Sequence, residues 1–217
     1  MVTNDDVRRW VTEQLYWDPK FDSTAIAVSA EDGAITLRGT VGSLREKREA
    51  QKSAERVYGV KSVKNDLSVR IVGSHGRDDA ELRGDVLQAL MLDGVVPSSI
   101  DARVEAGWVT LTGTADWQFE RDEAELVAGN VTGVVAVDDE VELTAPSPAA
   151  GDVKKSIKKA FKRNAKLDAD LLSVDTLDGT VTVTGTVGSW AEHDAAIAAA
   201  WAAPGVKKVE DHVLVGF

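Results

Sequence analysis

Three glycines recur at a fixed spacing, and that spacing limits what the chain can fold into. Gly33, Gly39 and Gly59 are separated by 6 and 20 residues. Gly107, Gly113 and Gly133 repeat those gaps, as do Gly179, Gly185 and Gly205, with the triplets offset by 74 and then 72 residues. The neighbours agree too. Ala34-Ile35-Thr36-Leu37-Arg38-Gly39-Thr40 is echoed by Trp108-Val109-Thr110-Leu111-Thr112-Gly113-Thr114 and by Thr180-Val181-Thr182-Val183-Thr184-Gly185-Thr186. Self-similarity at a fixed period marks a repeat architecture. The 217 residues therefore read as three copies of one unit of about 70 residues, over 1–72, 77–145 and 151–217. Gly73-Ser74-His75-Gly76 separates the first two. Ala145-Pro146-Ser147-Pro148-Ala149-Ala150-Gly151 separates the last two and is the better linker, because Pro and small residues resist regular structure. Units this small are marginal alone, so packing between them is expected to contribute to stability.

Within a unit the hydrophobic period changes from helix to strand and back. Val7, Val11 and Leu15 lie four apart, as do Leu82, Val86 and Leu90, then Val153, Ile157 and Phe161, a helical stripe. Ile26 and Val28, with Ile100, Ala102 and Val104, follow the period of a strand. Asp32-Gly33, Ala106-Gly107 and Asp178-Gly179 supply a hairpin turn needing positive φ. Ile35 and Leu37 alternate with Thr36 and Arg38, and Gly39 shares the parity of the apolar face. A helix backbone is expected to approach at Gly39, Gly113 and Gly185, where a side chain would collide. Small residues Ala50, Ala54, Ala124, Ala128, Ala196 and Ala200 recur at helical spacing, and Gly59, Gly133 and Gly205 are expected to cap that helix. A third strand follows. Each unit is thus helix, strand, strand, helix, strand: an α+β fold with a small three-stranded mixed sheet and two helices on one face. A right-handed crossover makes the second and third strands parallel where they are neighbours.

The segments Asp32-Gly33 to Val41 and Gly59-Val60-Lys61-Ser62-Val63-Lys64-Asn65-Asp66-Leu67, with Asp178-Gly179 to Val187 and Gly205 to Val213, resemble the BON domain of bacterial osmotically inducible and nodulation proteins. The middle unit departs at Ala106 and Ala115. The resemblance covers nearly the whole chain in triplicate and implies an αββαβ fold. It also implies association with phospholipid surfaces, envelope maintenance and protection in osmotic stress.

The residues themselves offer little chemistry. His75, His193 and His212 are scattered, with no pair at metal-ligand spacing, and no nucleophile–base–orienter set is visible. The Gly-x5-Gly spacing lacks the Lys-Ser/Thr of a phosphate loop. Asp138-Asp139-Glu140 reads as a solvated edge, since its equivalents Lys64-Asn65-Asp66 and Glu210-Asp211-His212 are not uniformly acidic. With no cysteine there is no disulfide frame or thiolate site. No enzyme, cofactor or metal is expected. The six tryptophans, Trp10, Trp17, Trp108, Trp117, Trp190 and Trp201, do not share repeat positions. They read as residues packed between units, or alternatively as membrane-interface anchors.

Charge is the remaining guide. The net charge of −11 argues against a nucleic-acid partner. Residues 1–72 carry 12 basic and 11 acidic side chains, 73–146 carry 4 and 16, and 147–217 carry 9 and 9. In the third unit Lys154, Lys155, Lys158, Lys159, Lys162, Arg163 and Lys166 decorate the first helix, a basic amphipathic pattern that suits anionic phospholipid or a protein partner. The alternatives are that it faces the acidic middle unit or only solvent. No apolar run is long enough to span a bilayer, and the first residues lack a signal-peptide pattern. The expectation is a non-enzymatic, cytoplasmic stress or envelope-associated binding protein, or a periplasmic one if a leader has been removed. The rival is a cytoplasmic scaffold, or a small-ligand or ion-sensing module, that never meets a membrane.

Overall fold

A computed structural model describes residues 2–70, 78–144, 150–164 and 167–216. The first repeat is built from α1 (Asn4–Trp17), β1 (Ile26–Glu31), β2 (Ala34–Val41), α2 (Leu44–Glu55) and β3 (Ser62–Val69). The second has α3 (Asp79–Leu92), β4 (Asp101–Glu105), β5 (Trp108–Ala115), α4 (Gln118–Gly129) and β6 (Ala136–Leu143). The third has α5 (Ala150–Arg163), β7 (Leu172–Leu177), β8 (Thr180–Val187), α6 (Trp190–Trp201) and β9 (Lys208–Val215). The order αββαβ thus occurs three times, as the periodicity predicts. By contact density the chain falls into two compact units, residues 1–114 with 119–142, and residues 115–118 with 143–217.

Each repeat has its own three-stranded sheet, with the hairpin's second strand in the middle. β1 runs antiparallel to β2, from Ile26↔Gly39 to Glu31↔Ala34. β2 runs parallel to β3, from Ala34↔Ser62 to Val41↔Val69. β7, β8 and β9 reproduce both pairings. α1 starts at a capping box: the Thr3 hydroxyl accepts from the Asp6 N–H, and Asp6 accepts from the Thr3 N–H. This satisfies two of the N–H groups that a helix start leaves open. Val7, Val11 and Leu15 of α1 join Ile35, Leu37, Val41, Ala50, Ala54, Val60 and Leu67 in one buried cluster. Ala50 and Ala54 are wholly buried, so α2 lies close on the sheet through small side chains. Thr36 and Arg38, on the alternate parity, are half-buried and exposed. Both helices therefore share one sheet face. Phe161 and Ile157 of α5 anchor the third core in the same manner.

The glycine positions are confirmed as special, but two of the three roles differ from expectation. Asp32 and Gly33 take φ +48° and +85° as a hairpin turn. Gly39, Gly113 and Gly185 do sit where a Cβ would collide, but with the turn that leads into the first strand rather than with either α-helix of the repeat. The nearest atoms are the carbonyl oxygens of Ala25, Ser99 and Leu171, one or two residues before the first strand of each repeat; in the first repeat Ala25 ends a short 3-10 turn, Ser23–Ala25. The reason is that Ile26 and Leu172 pair with Gly39 and Gly185 at the last rung of the hairpin, where the partner strand begins. Gly59, Gly133 and Gly205 have positive φ, yet are not helix caps. α2 ends at Glu55 with Arg56 as its cap, and α6 ends at Trp201 with Ala202. A further turn, closed by Val60 N–H on the Val57 carbonyl and Val206 N–H on the Ala203 carbonyl, places each glycine at the approach to the third strand.

Candidate functional site

α5 carries its cations on the face opposite its buried stripe. Val153, Ile157 and Phe161 point inward at 5%, 0% and 1% exposure. Lys155, Lys158, Lys159, Lys162 and Arg163 are exposed, and Lys154 is half-buried. Asp152 in the first turn, and Lys162 and Arg163 in the last, complement the helix dipole. Lys154 is already engaged: its Nζ lies 2.5 Å from Asp175 of β7. That hydrogen bond, then the charges of Lys154 and Lys158, hold the Asp175 carboxyl below the usual aspartate value. Lys155, Lys159, Lys162 and Arg163 make no ion pair among the described residues. Lys166 lies outside the described residues. The equivalent helices differ: α1 mixes Asp5, Asp6, Arg8, Arg9 and Glu13, with Arg8 on Asp5 and Arg9 on Asp6, and α3 carries Asp79, Glu81 and Asp85 around Arg83.

The acidic cluster resolves into a fold device. One Asp139 carboxylate oxygen accepts from Arg121 of α4 at 2.7 Å, and the other accepts the Val141 N–H at 2.9 Å. At the same place in the third repeat, Asp211 meets His193 Nε2 at 2.8 Å and accepts the Val213 N–H at 3.0 Å. In the first repeat, Asn65 donates to the Lys47 carbonyl at 2.8 Å and accepts the Leu67 N–H. The position ties the third strand to the second helix whatever the charge, so the His193–Asp211 pair is the third repeat's version of this tie. No group of three or more His, Asp or Glu side chains forms a metal cage among the described residues. His75 lies outside them.

The tryptophans divide. Trp190 and Trp201 pack on the core of their own repeat, Trp190 with an edge-to-face contact to His193. Trp17 and Trp108 are 78% and 53% exposed, and Trp17 meets the ring of Tyr16. Two repeats also touch inside one compact unit. Arg48 of α2 approaches Glu125 of α4 at 3.6 Å, and its guanidinium occupies the space above Gly129. Burial raises the Glu125 carboxyl above its ordinary value, with Asp139 and Asp122 adding to the rise and Arg48 and Arg121 opposing it.

A sequence profile of the BON domain matches residues 3–71, 78–145 and 150–216, three times across the chain. The protein belongs to the BON-domain family. Among curated proteins, this BON chain is similar to the osmotically-inducible protein Y of Escherichia coli K12, 35% identical over 127 residues, covering 55% of this chain and 62% of that protein. It is also similar to the potassium binding protein Kbp of Escherichia coli O6:H1, 27% identical over 116 residues, covering 50% of this chain and 76% of that protein. An uncharacterized protein from Anaplasma centrale, described by its place in the gshII 5' region, is 32% identical over 143 residues, covering 63% of this chain and 93% of that protein. The BON repeats therefore span about three fifths of the osmotically inducible relative and most of the other two.

Proposed function

We propose that this chain is a non-catalytic BON protein of the osmotic-stress response whose third repeat binds an anionic phospholipid surface through α5. The likeness to an osmotically-inducible protein supports the stress role. The observation that carries the lipid role is the run of exposed cations Lys155, Lys158, Lys159, Lys162 and Arg163 on one amphipathic helix. Each basic residue near an anionic leaflet contributes about 1 kcal/mol, and the attraction fades over one Debye length, about 8–10 Å at moderate salt. The chain's net charge of −11 opposes approach at longer range, so binding is short-ranged and salt-sensitive. An anionic leaflet facing the cytoplasm or the periplasm would offer the same chemistry. No helix among the described residues is long and apolar enough to cross a membrane.

The test is co-sedimentation with phosphatidylglycerol and phosphatidylcholine vesicles at low and high salt. Lys155→Glu, Lys159→Glu and Lys162→Glu are combined, leaving Lys154 to its partner Asp175. Binding to the anionic vesicles alone, lost in the variant and in high salt with an unchanged melt, supports the role. No sedimentation of the parent chain at low salt removes it. A second reading, an ion-sensing module, rests on the likeness to a potassium binding protein; a melt raised by potassium and not by sodium supports that one instead.

A further inference from the structure

The three repeats share the residues that build their cores, so large polar and aromatic side chains gathered at one surface place in a single repeat are not required by the shared fold. The first repeat has such a place. Trp10 and Gln14 of α1 face Arg56, Val57 and Tyr58, the turn that follows α2, across a groove of about 370 Å³. A volume of this size lies within the usual range for small-ligand sites. Counted from the core residues Val7, Leu82 and Val153, Trp10 corresponds to Asp85 and Ser156, and Gln14 to Ala89 and Ala160. Counted from the glycines, Arg56 corresponds to Asn130 and Ala202, and Tyr58 to Thr132 and Pro204. Only Val57 is matched by an apolar residue that replaces another apolar one in both, Val131 and Ala203.

A buried hydroxyl behind the groove is also confined to this repeat, although the Asp18 turn recurs at Asp93. Ser53 is fully buried, and Asp18 is 8% exposed. The Gln14 side-chain amide donates to the Ser53 hydroxyl at 3.5 Å, and that hydroxyl donates to the Asp18 carboxylate at 3.1 Å. The other Asp18 oxygen accepts the Lys20 N–H at 3.2 Å. Val127 and Ala199 stand where Ser53 does, so the other repeats close the same helix pair without a hydroxyl. Burying polar groups is costly unless each is paired. Here the pairing fixes the Gln14 amide at the groove wall.

We infer that this groove is a binding site for a small planar aromatic anion. Trp10 and Tyr58 supply flat apolar surface on which a ring can stack, the Arg56 guanidinium supplies a fork that fits a carboxylate, and the anchored Gln14 amide orients the polar edge. The groove is separate from α5, so its test is independent of the lipid reading.

The experiment follows backbone, indole and side-chain amide NMR signals of the full chain while 2-naphthoate is added, with neutral 2-naphthamide as the comparison. The expected result is saturable shifts at the Trp10 indole N–H, the Gln14 amide and the Tyr58 N–H, with naphthamide roughly tenfold weaker or worse, the loss of one charged contact. Arg56→Asn with Tyr58→Thr installs the residues of the second repeat at these places, keeps the rest of the spectrum and abolishes the shifts. Shifts that do not saturate, that naphthamide matches, or that survive in the variant overturn the assignment.

Discussion

The carbonyl oxygen of Gly59 lies 2.8 Å from the point where Gly33 would carry a Cβ. The hairpin turn between β1 and β2 therefore meets the turn entering β3 backbone to backbone, and the Lys61 N–H donates to the Gly33 carbonyl at 2.8 Å. Gly107 with Gly133, and Gly179 with Gly205, repeat the contact at 3.0 and 3.3 Å. The 26-residue spacing that marks the repeat is the spacing of two turns that touch.

Glycine replacements should follow these gaps. At Gly113 a Cβ would stand 2.1 Å from the Ser99 carbonyl oxygen, at φ +120°; at Gly84, inside α3, nothing lies within 4 Å. Gly113→Val should cost about 3 kcal/mol or more, since backbone cannot yield cheaply. Gly84→Ala should stabilise by roughly 0.5–1 kcal/mol, by restricting the unfolded chain and favouring the helix. Denaturant midpoints of both variants check this; equal midpoints would refute the steric account.

Ala106 occupies φ +51°, where its counterparts are Asp32 and Asp178. An alanine in the left-handed region costs about 1–2 kcal/mol, whereas Asn is tolerated there. The Asp79 carboxylate accepts the N–H groups of both Ala106 and Gly107, at 2.7 and 3.0 Å. In the first repeat Asn4, a neutral side chain, takes the Asp32 N–H. An aspartate at 106 would therefore meet a carboxylate. Ala106→Asn should raise the melting temperature, and Ala106→Asp should raise it less. The reverse ranking in thermal melts would show that Asp79 does not set the choice.

Glu125 gives a pH test. Its folded pKa is raised by burial above the ordinary glutamate value of 4.5. The folded state therefore holds this proton more tightly than the unfolded chain. Its contribution is fully present below the unfolded pKa and is lost as pH rises through the raised folded value. Glu125→Gln should keep that contribution near neutrality, so the variant melts slightly higher than the parent at pH 7 and equally at low pH. Because the side chain is 42% exposed, the gain is small. A variant that melts clearly lower at pH 7 would show that the attraction of Arg48 outweighs burial.

Much of the fold was legible because it rests on short-range periodicity. The stripe Val7, Val11, Leu15 and the alternation Ile35, Thr36, Leu37 each specify an element from within a few residues. What Gly39 avoids was not legible, since Ala25 reaches it only once hairpin register is set. Nor does spacing show that the chain turns once more between Arg56 and Val60. The α5 cations were legible as a run of like charge on one helix face, but the engagement of Lys154 by Asp175 needed the fold. The groove at Trp10 is not legible in sequence because its residues come from two distant segments. The signal available was the mismatch of Trp10, Gln14, Ser53, Arg56 and Tyr58 with their counterparts.

Arg48 seated over Gly129 makes the repeats non-interchangeable. The residues corresponding to Gly129 are Glu55 and Trp201, and those corresponding to Arg48 are Asp122 and Asp194. No other second helix in the chain offers either the cation or the seat. A shuffled gene that put the third repeat in second place would present an indole where the guanidinium must rest. Sequence order is thus part of the architecture: the first two links carry a key and a lock that no other pair of repeats reproduces.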